Sequence, residues 1–314
     1  MGLFARAKKQ EGLLATAWGA DGLCAAVVKR RGGDKPLVQA LAFYPGRQPL
    51  LAATLEKLNR EMQAHSYRNS TLLGAGEYQL LSLDAPNVPP EELKTAVGWR
   101  LKDMIDFALS DATIDVLDIP ADKNGAGRGQ SLFAVAARNR ALVQRQALYS
   151  AGKIRLSVVD IPEMAQRNIA ALLEPEGRGL AMLSFDGEGG LLTVTFNGEL
   201  YLSRRIDVNI GQLADSSDQQ KQQYYDKITL ELQRSFDHFD RQFHFITIAR
   251  LVLAPTGTDG LHAYLADNLY VPVVVLQLEE VLDCSKAPEL RDAACQARFF
   301  LTLGAALRHE ESAA

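Results

Sequence analysis

Gly179-Leu-Ala-Met-Leu-Ser-Phe-Asp186-Gly-Glu-Gly-Gly190-Leu-Leu-Thr-Val-Thr-Phe196-Asn197-Gly198-Glu-Leu-Tyr-Leu-Ser-Arg-Arg205 decides how the rest of the chain is read. It holds three short apolar runs joined by two turns. Asn197-Gly198 between alternating apolar residues predicts a two-residue hairpin, because both central positions of a type I′ turn need positive φ. The other turn, Asp186-Gly187-Glu188-Gly189-Gly190, is longer, and an aspartate closes the strand before it. Glycines let a backbone approach a ligand closely, so these N–H groups suit a phosphate. A plain hairpin loop is the other reading, and this stretch alone does not choose between them.

Downstream, residues 219–243 predict a long helix whose stripe is Tyr225, Ile228, Leu232, Phe236 (or Ser235), Phe239 and Phe243. A strand at 246–253, the turn 254–260, a helix at 261–268, a strand at 271–276 and a closing helix at 289–307 follow. The first half has the same order. Strands at 12–18, 23–30 and 36–43 precede a helix at 50–65, whose Leu51, Leu55, Leu58 and Met62 recur at helical spacing. A strand at 71–73, a helix capped by Asn139, a strand at 154–160 and a helix at 161–173 complete it. Residues 77–130 read as an insertion. Its helix starts at Pro90, where a missing N–H costs nothing, and Glu91 and Glu92 suit the positive end of the dipole. The division expected is therefore a basic-apolar tail at 1–10, a first α/β lobe at 11–173 with the insertion at about 77–130, and a second lobe at 174–314.

The chain has 314 residues, 47% of them apolar and 23% charged, which is ordinary for a soluble globular protein. A net charge of −4 gives no general attraction to nucleic acid. No apolar run approaches the length of a membrane span, and the first ten residues lack the h-region of a signal peptide. Leu3, Phe4, Arg6, Lys8 and Lys9 in that tail suit either a solvated end or a contact with an anionic membrane surface. Cys24, Cys284 and Cys295 fit no metal spacing and read as reduced thiols. The five histidines show no metal-binding pair, and neither a Gly-x-x-x-x-Gly-Lys-Ser/Thr loop nor a Gly-x-Ser-x-Gly elbow is present.

A duplicated βββαβαβα order with an insertion in the first lobe resembles the actin-like fold of Hsp70, sugar kinases and actin. Further stretches narrow the likeness: Gly2-Leu-Phe at the start; Leu83-Asp-Ala-Pro86 before Pro90-Glu-Glu-Leu93; Ala134-Val-Ala-Ala-Arg138; Val158-Val-Asp-Ile161; Ser203-Arg-Arg-Ile206; Glu231-Leu-Gln-Arg-Ser-Phe236; and Leu303-Gly-Ala-Ala-Leu307. Together they resemble the PilM-like proteins of type IV pilus machinery, in the branch serving mannose-sensitive haemagglutinin (MSHA) pili, that of MshI. The resemblance implies a cytoplasmic adaptor at the inner face of the bacterial inner membrane. It would dock the N-terminal cytoplasmic peptide of a PilN-like or MshJ-like membrane protein, with the pilus assembly ATPase as a second partner. The docking region implied is the helix at 90–107 and the first-lobe sheet, with Leu93, Val97, Trp99 and Leu101 as candidates.

The same resemblance implies ATP with Mg²⁺ between two hairpin turns, and a third turn at the adenosine. Candidates are Asp21 and Gly22 in the first turn, Asp186, Gly187, Gly189 and Gly190 in the second, and Gly257, Thr258 and Gly260 in the third. Asp186 is the candidate Mg²⁺ carboxylate. The first turn departs from the family pattern: counted back from Val28-Lys29, the acidic position falls on Gly22 and the glycine on Cys24. That weakens the case for hydrolysis, since the Mg²⁺-bound phosphate loses an anchor. An ATP-dependent phosphotransferase or ATPase of the same fold is the competing reading.

Overall fold

The computed structural model describes residues 10–46, 52–121, 130–215 and 217–309. The tail reading for residues 1–9 lies outside them, as does most of the glycine-rich stretch 121–129. Two compact units result: residues 1–72 with 149–314, and residues 73–148.

The larger unit carries two five-stranded sheets of one topology. In the first, β1 (Leu13–Trp18), β2 (Gly22–Lys29) and β3 (Leu37–Pro45) form an antiparallel meander. β4 (Arg68–Leu72) and, later, β8 (Leu156–Asp160) extend it in parallel, giving the order β3-β2-β1-β4-β8. The second repeats this with β9 (Gly179–Phe185), β10 (Gly190–Phe196), β11 (Glu199–Ile206), β12 (Ile248–Leu253) and β13 (Val273–Val275), ordered β11-β10-β9-β12-β13. Asn197 and Gly198 have φ of 51° and 76°, and Phe196 pairs with Glu199, so the two-residue hairpin forms as the sequence predicts. Every residue of β9 is buried, as an apolar run in a central strand requires.

Helices connect these strands: α1 (Ala52–Met62), then α3 (Asn139–Ala151), which runs out of the smaller unit, and α4 (Pro162–Ala170). In the second half come α5 (Ile210–Asp215), α6 (Asp218–Gln242), α7 (Leu261–Asn268) and α8 (Ala293–Ala306). Ser217 and Gln220 form a reciprocal capping box that starts α6. Asn139, expected as a cap, is instead the first residue of α3; its side chain accepts from Thr113 Oγ1 at 2.6 Å and donates to Ser110 O at 3.3 Å.

The helices α4 and α8 cross over. α4 follows β8 in the chain but packs on β9, β10 and β11, while α8 at the end of the chain packs on β1, β2 and β4. They also pack on each other, and one apolar cluster joins both sheets through Ala165, Ile169, Phe299 and Leu303. Buried Gln166 fastens α4 to the second sheet. Its Nε2 donates to Met182 O (2.9 Å), Leu191 O (3.1 Å) and Thr193 Oγ1 (2.9 Å), and its Oε1 accepts from Ser184 Oγ.

The smaller unit is a three-stranded antiparallel sheet, β5 (Tyr78–Asp84), β7 (Ser131–Arg138) and β6 (Ala112–Ile119), with β7 central. α2 (Pro90–Leu101) lays Val97 and Leu101 onto Leu83, Leu132 and Ala134. Arg145, 5% exposed, meets Glu77 at 2.5 Å, and the same carboxylate oxygen accepts from Gly74 N–H. Among the described residues no helix is long and apolar enough to cross a membrane.

Candidate functional site

Three turns of the larger unit carry the candidates, and two of them, the first and the third, lie against α8. The first joins β1 to β2. Gly19 N–H donates to Gly22 O at 2.8 Å, and Gly46 N–H donates to Asp21 O at 2.9 Å, tying the turn to the end of β3. Gly22 serves packing: a Cβ there would stand 2.3 Å from Tyr44 O and 2.8 Å from the Phe43 ring. The exposed Asp21 carboxylate lies 3.2 Å from Arg298 Nη2, and the Arg298 guanidinium lies over the Phe43 ring at 4.3 Å. One register step into β2, Cys24 turns its Sγ toward Arg298 O at 3.7 Å.

The second turn joins β9 to β10. Asp186 N–H donates to Gly189 O, and Asp186 Oδ1 accepts from Glu188 N–H at 2.8 Å and from Gly189 N–H at 3.0 Å. The carboxylate is folded into its own turn. Gly189 has φ of 149°, and a Cβ there would meet Ile206 O at 2.8 Å; one on Gly190 would meet the Phe185 ring at 2.8 Å. Exposed Gly187 faces the first turn: a Cβ on it would lie 3.9 Å from Ala20 Cβ.

The third turn follows β12. Ala254 N–H donates to Leu183 O, so the turn departs from beside β9. Gly257 sits at φ 66°, with Ala294 Cα 3.7 Å from where its Cβ would be. Thr258 N–H and Oγ1 both reach Thr256 Oγ1, at 3.2 and 3.0 Å. Gly260, at φ 93°, precedes α7, and Tyr225 OH donates to Asp259 O at 3.0 Å. Ala294 and Arg298 are four residues apart and therefore share a face of α8, which carries the third and first turns side by side.

The structure thus places the candidates of the first and third turns beside α8, while Asp186, Gly187, Gly189 and Gly190 of the second lie toward the first turn at Ala20. Sequence reading missed Arg298, Ala20, Phe43 and Ala294, and nothing in their spacing announces them. The Glu188 and Gly189 N–H groups are both held by Asp186. Asp21 faces the Arg298 guanidinium, and the first and second turns approach each other at Ala20 and Gly187, where an added Gly187 Cβ would stand 3.9 Å from Ala20 Cβ. Among the described residues no cluster of three or more His, Cys, Asp or Glu side chains is placed to hold a metal ion.

Burial, with Asp21 adding to it, pushes the Cys24 thiol up to about 12. A thiolate there is negligible at pH 8, and the thiolate is the reactive species. Iodoacetamide at pH 8 should leave Cys24 unmodified in the native protein and label it after urea unfolding, read by mass spectrometry; native labelling of Cys24 would contradict the packing described.

In the smaller unit the four docking candidates separate. Val97 and Leu101 are fully buried and Leu93 is half-buried, all three in that unit's own core. Trp99 is 69% exposed, and Met104 beyond the end of α2 is also exposed. Around them Lys94 pairs with Asp115 at 2.7 Å, and Arg100 Nη1 donates to Asp84 O at 2.7 Å.

No family model matches the chain, and no curated protein matches it. Among solved structures it is similar to a chain of the PilM-PilN type IV pilus biogenesis complex: 21% identity, TM-score 0.74, over 96% of this chain and 98% of that one. It is also similar to a Bacteroides thetaiotaomicron protein with actin-like ATPase fold and unknown function: 11% identity, TM-score 0.51, over 93% of this chain and 99% of that one. The fold is therefore actin-like, as the element order led us to expect. At these identities the likeness is one of fold.

Proposed function

We propose that this protein is a cytoplasmic adaptor of a type IV pilus assembly platform, which docks the N-terminal cytoplasmic peptide of a PilN-like inner-membrane protein. The observation that carries the reading is the near-complete overlap, at TM-score 0.74, with a chain of the PilM-PilN complex. The finer assignment, to the MSHA pilus with MshI as counterpart and an MshJ-like partner, rests on the sequence resemblance. So do the place at the inner face of the membrane and the assembly ATPase as second partner; a membrane contact by residues 1–10 rests on their basic and apolar composition.

Within the smaller unit, Trp99 is the group we assign to the peptide. Val97 and Leu101 hold α2 on its sheet and are spent there. An exposed tryptophan offers a large apolar face at little entropic cost, and Met104 of the same unit is exposed as well. A synthetic N-terminal peptide of the partner, carrying a fluorophore, tests this by polarisation. Trp99→Ala should weaken binding by about 30-fold, the scale of an aromatic hot spot. The chain has two tryptophans, and Trp18 is only partly exposed with its Nε1 buried, so a change in emission that vanishes in Trp99→Phe would report docking at α2. Absence of peptide binding, with and without Mg-ATP, would overturn the adaptor reading.

A further inference from the structure

We infer that the exposed face of α6 beside α7 receives the basic N-terminal segment of a second copy of this chain. Asp226, Leu230, Gln233, Asp237 and Asp240 recur at three- and four-residue steps, so they share one face of α6, and all are exposed. Three observed bonds place that face beside α7 and the segment that leaves it. Tyr264 OH donates to Asp226 Oδ1, Gln233 Nε2 donates to Asn268 O at 3.1 Å, and Tyr270 OH donates to Asp240 Oδ2 at 3.3 Å. The strip is both apolar and acidic: Leu230 and Tyr270 are 46% and 63% exposed, and three carboxylates share it with them. Nearby cations are engaged. Lys227 pairs with Asp207 at 2.8 Å and Arg234 with Glu231 at 3.0 Å, while Arg241 turns its Nε to Asp237 O at 3.1 Å. Such a row repels nucleic acid and anionic lipid. Asp226 and Asp240 lie fourteen residues apart, about 21 Å along the helix, too far to converge on one ion. A basic, partly apolar segment of chain suits the strip. The chain carries one in residues 1–10, where Leu3 and Phe4 accompany Arg6, Lys8 and Lys9 with no carboxylate among them. From Leu3 to Lys9 an extended segment spans about 20 Å, the length of the strip. A second copy is the source because the segment and the strip belong to different sheets. Gln10 N–H donates to Ser66 O at 2.9 Å, just before β4 of the first sheet, whereas α6 packs on β11 and α7 on β13 of the second. The contact joins unlike surfaces, so it passes from copy to copy, head to tail.

Sedimentation velocity of the full chain at rising protein concentration tests it. An anionic bilayer would compete for the same segment, so the measurement is made without lipid. The wild type should self-associate, and less so as salt rises from about 50 to 500 mM. A tail variant, Arg6→Glu with Lys8→Glu and Lys9→Glu, should weaken self-association by about tenfold, the sum of three exposed ion pairs. A strip variant, Asp226→Lys with Asp237→Lys and Asp240→Lys, should do the same, with its urea midpoint checked against the wild type. The tail variant leaves α6 and α7 untouched, so its result stands even where the strip variant folds poorly. Mixing the two variants should give heterodimers that grow no further, since one intact tail then meets one intact strip. A wild type that stays monomeric throughout would overturn the inference, as would a tail variant that associates like the wild type. So would a folded strip variant that loses the labelled partner peptide, because the face would then belong to that peptide. Self-association that fails while the peptide still binds at α2, or the reverse, separates this inference from the adaptor reading.

Discussion

Gly304→Ala should destabilise the protein by about 2–4 kcal/mol, seen as a lower urea midpoint at unchanged slope. Helix propensity alone predicts the opposite sign, since alanine in a helix interior is better than glycine by about 1 kcal/mol. Packing decides the outcome. A Cβ at Gly304 would stand 2.2 Å from Ala165 O and 2.7 Å from its carbonyl carbon, and those atoms are backbone of α4. Neither helix can give way cheaply, because α4 is held on the second sheet through Gln166 and α8 lies on the first. Pushing them apart also stretches the 2.9 Å bond from Asn168 Nδ2 to Gly304 O, and Asn168 is buried. Each polar group left without a partner costs about 1–3 kcal/mol. Gly32→Ala is the control. It has nothing within 4 Å of its would-be Cβ, and its substitution should change stability by less than about 0.5 kcal/mol. An unchanged midpoint for Gly304→Ala would mean that the α4–α8 contact is looser than described.

That contact also marks where sequence reading stops. Periodicity locates helices, and it placed the stripe of α6 and the bounds of α7 with little error. The turn chemistry of Asn197-Gly198 placed the second meander. A stripe says that a face is buried; it does not say against what. Ile169 and Leu303 could each have packed on the sheet nearest in sequence, and the crossing appears only in three dimensions. The short α5 was not read, having barely more than one turn in which a period could show. The site divides in the same way. The glycine turns were legible because glycine reports on backbone conformation. Arg298 was not, because 277 residues separate it from Asp21 and an arginine on a helix has no local signature. Among the docking candidates the stripe reading grouped Leu93, Val97 and Leu101 with the partner. A helix stripe more simply buries itself in its own sheet, which leaves Trp99, off the stripe, as the exposed residue.

Gln166→Leu and Gln166→Glu should separate what this buried amide contributes by shape from what it contributes by hydrogen bonding. Leucine keeps most of the volume and removes every bond, stranding Ser184 Oγ and Thr193 Oγ1 in a buried place. The expected loss is about 2–4 kcal/mol, from one or two unsatisfied groups. Glutamate keeps the shape and the acceptor for Ser184, but it turns a carboxylate toward the Met182 and Leu191 carbonyl oxygens. A buried carboxylate facing acceptors is disfavoured when charged, so its pKa in the folded protein rises above the unfolded value of about 4.3. The sign follows: below about pH 4.3 the acid is neutral in both states and can donate to a carbonyl, and above it the folded state must either hold an extra proton or bury a charge. Stability of Gln166→Glu relative to Gln166→Leu should therefore be highest in acid and fall as pH rises toward 8. Urea unfolding of both variants at pH 5 and pH 8 measures it. A flat difference between the two pH values would mean that the residue at 166 reaches water. The α4 face would then not be the dry junction through which the first half of the chain grips the second sheet.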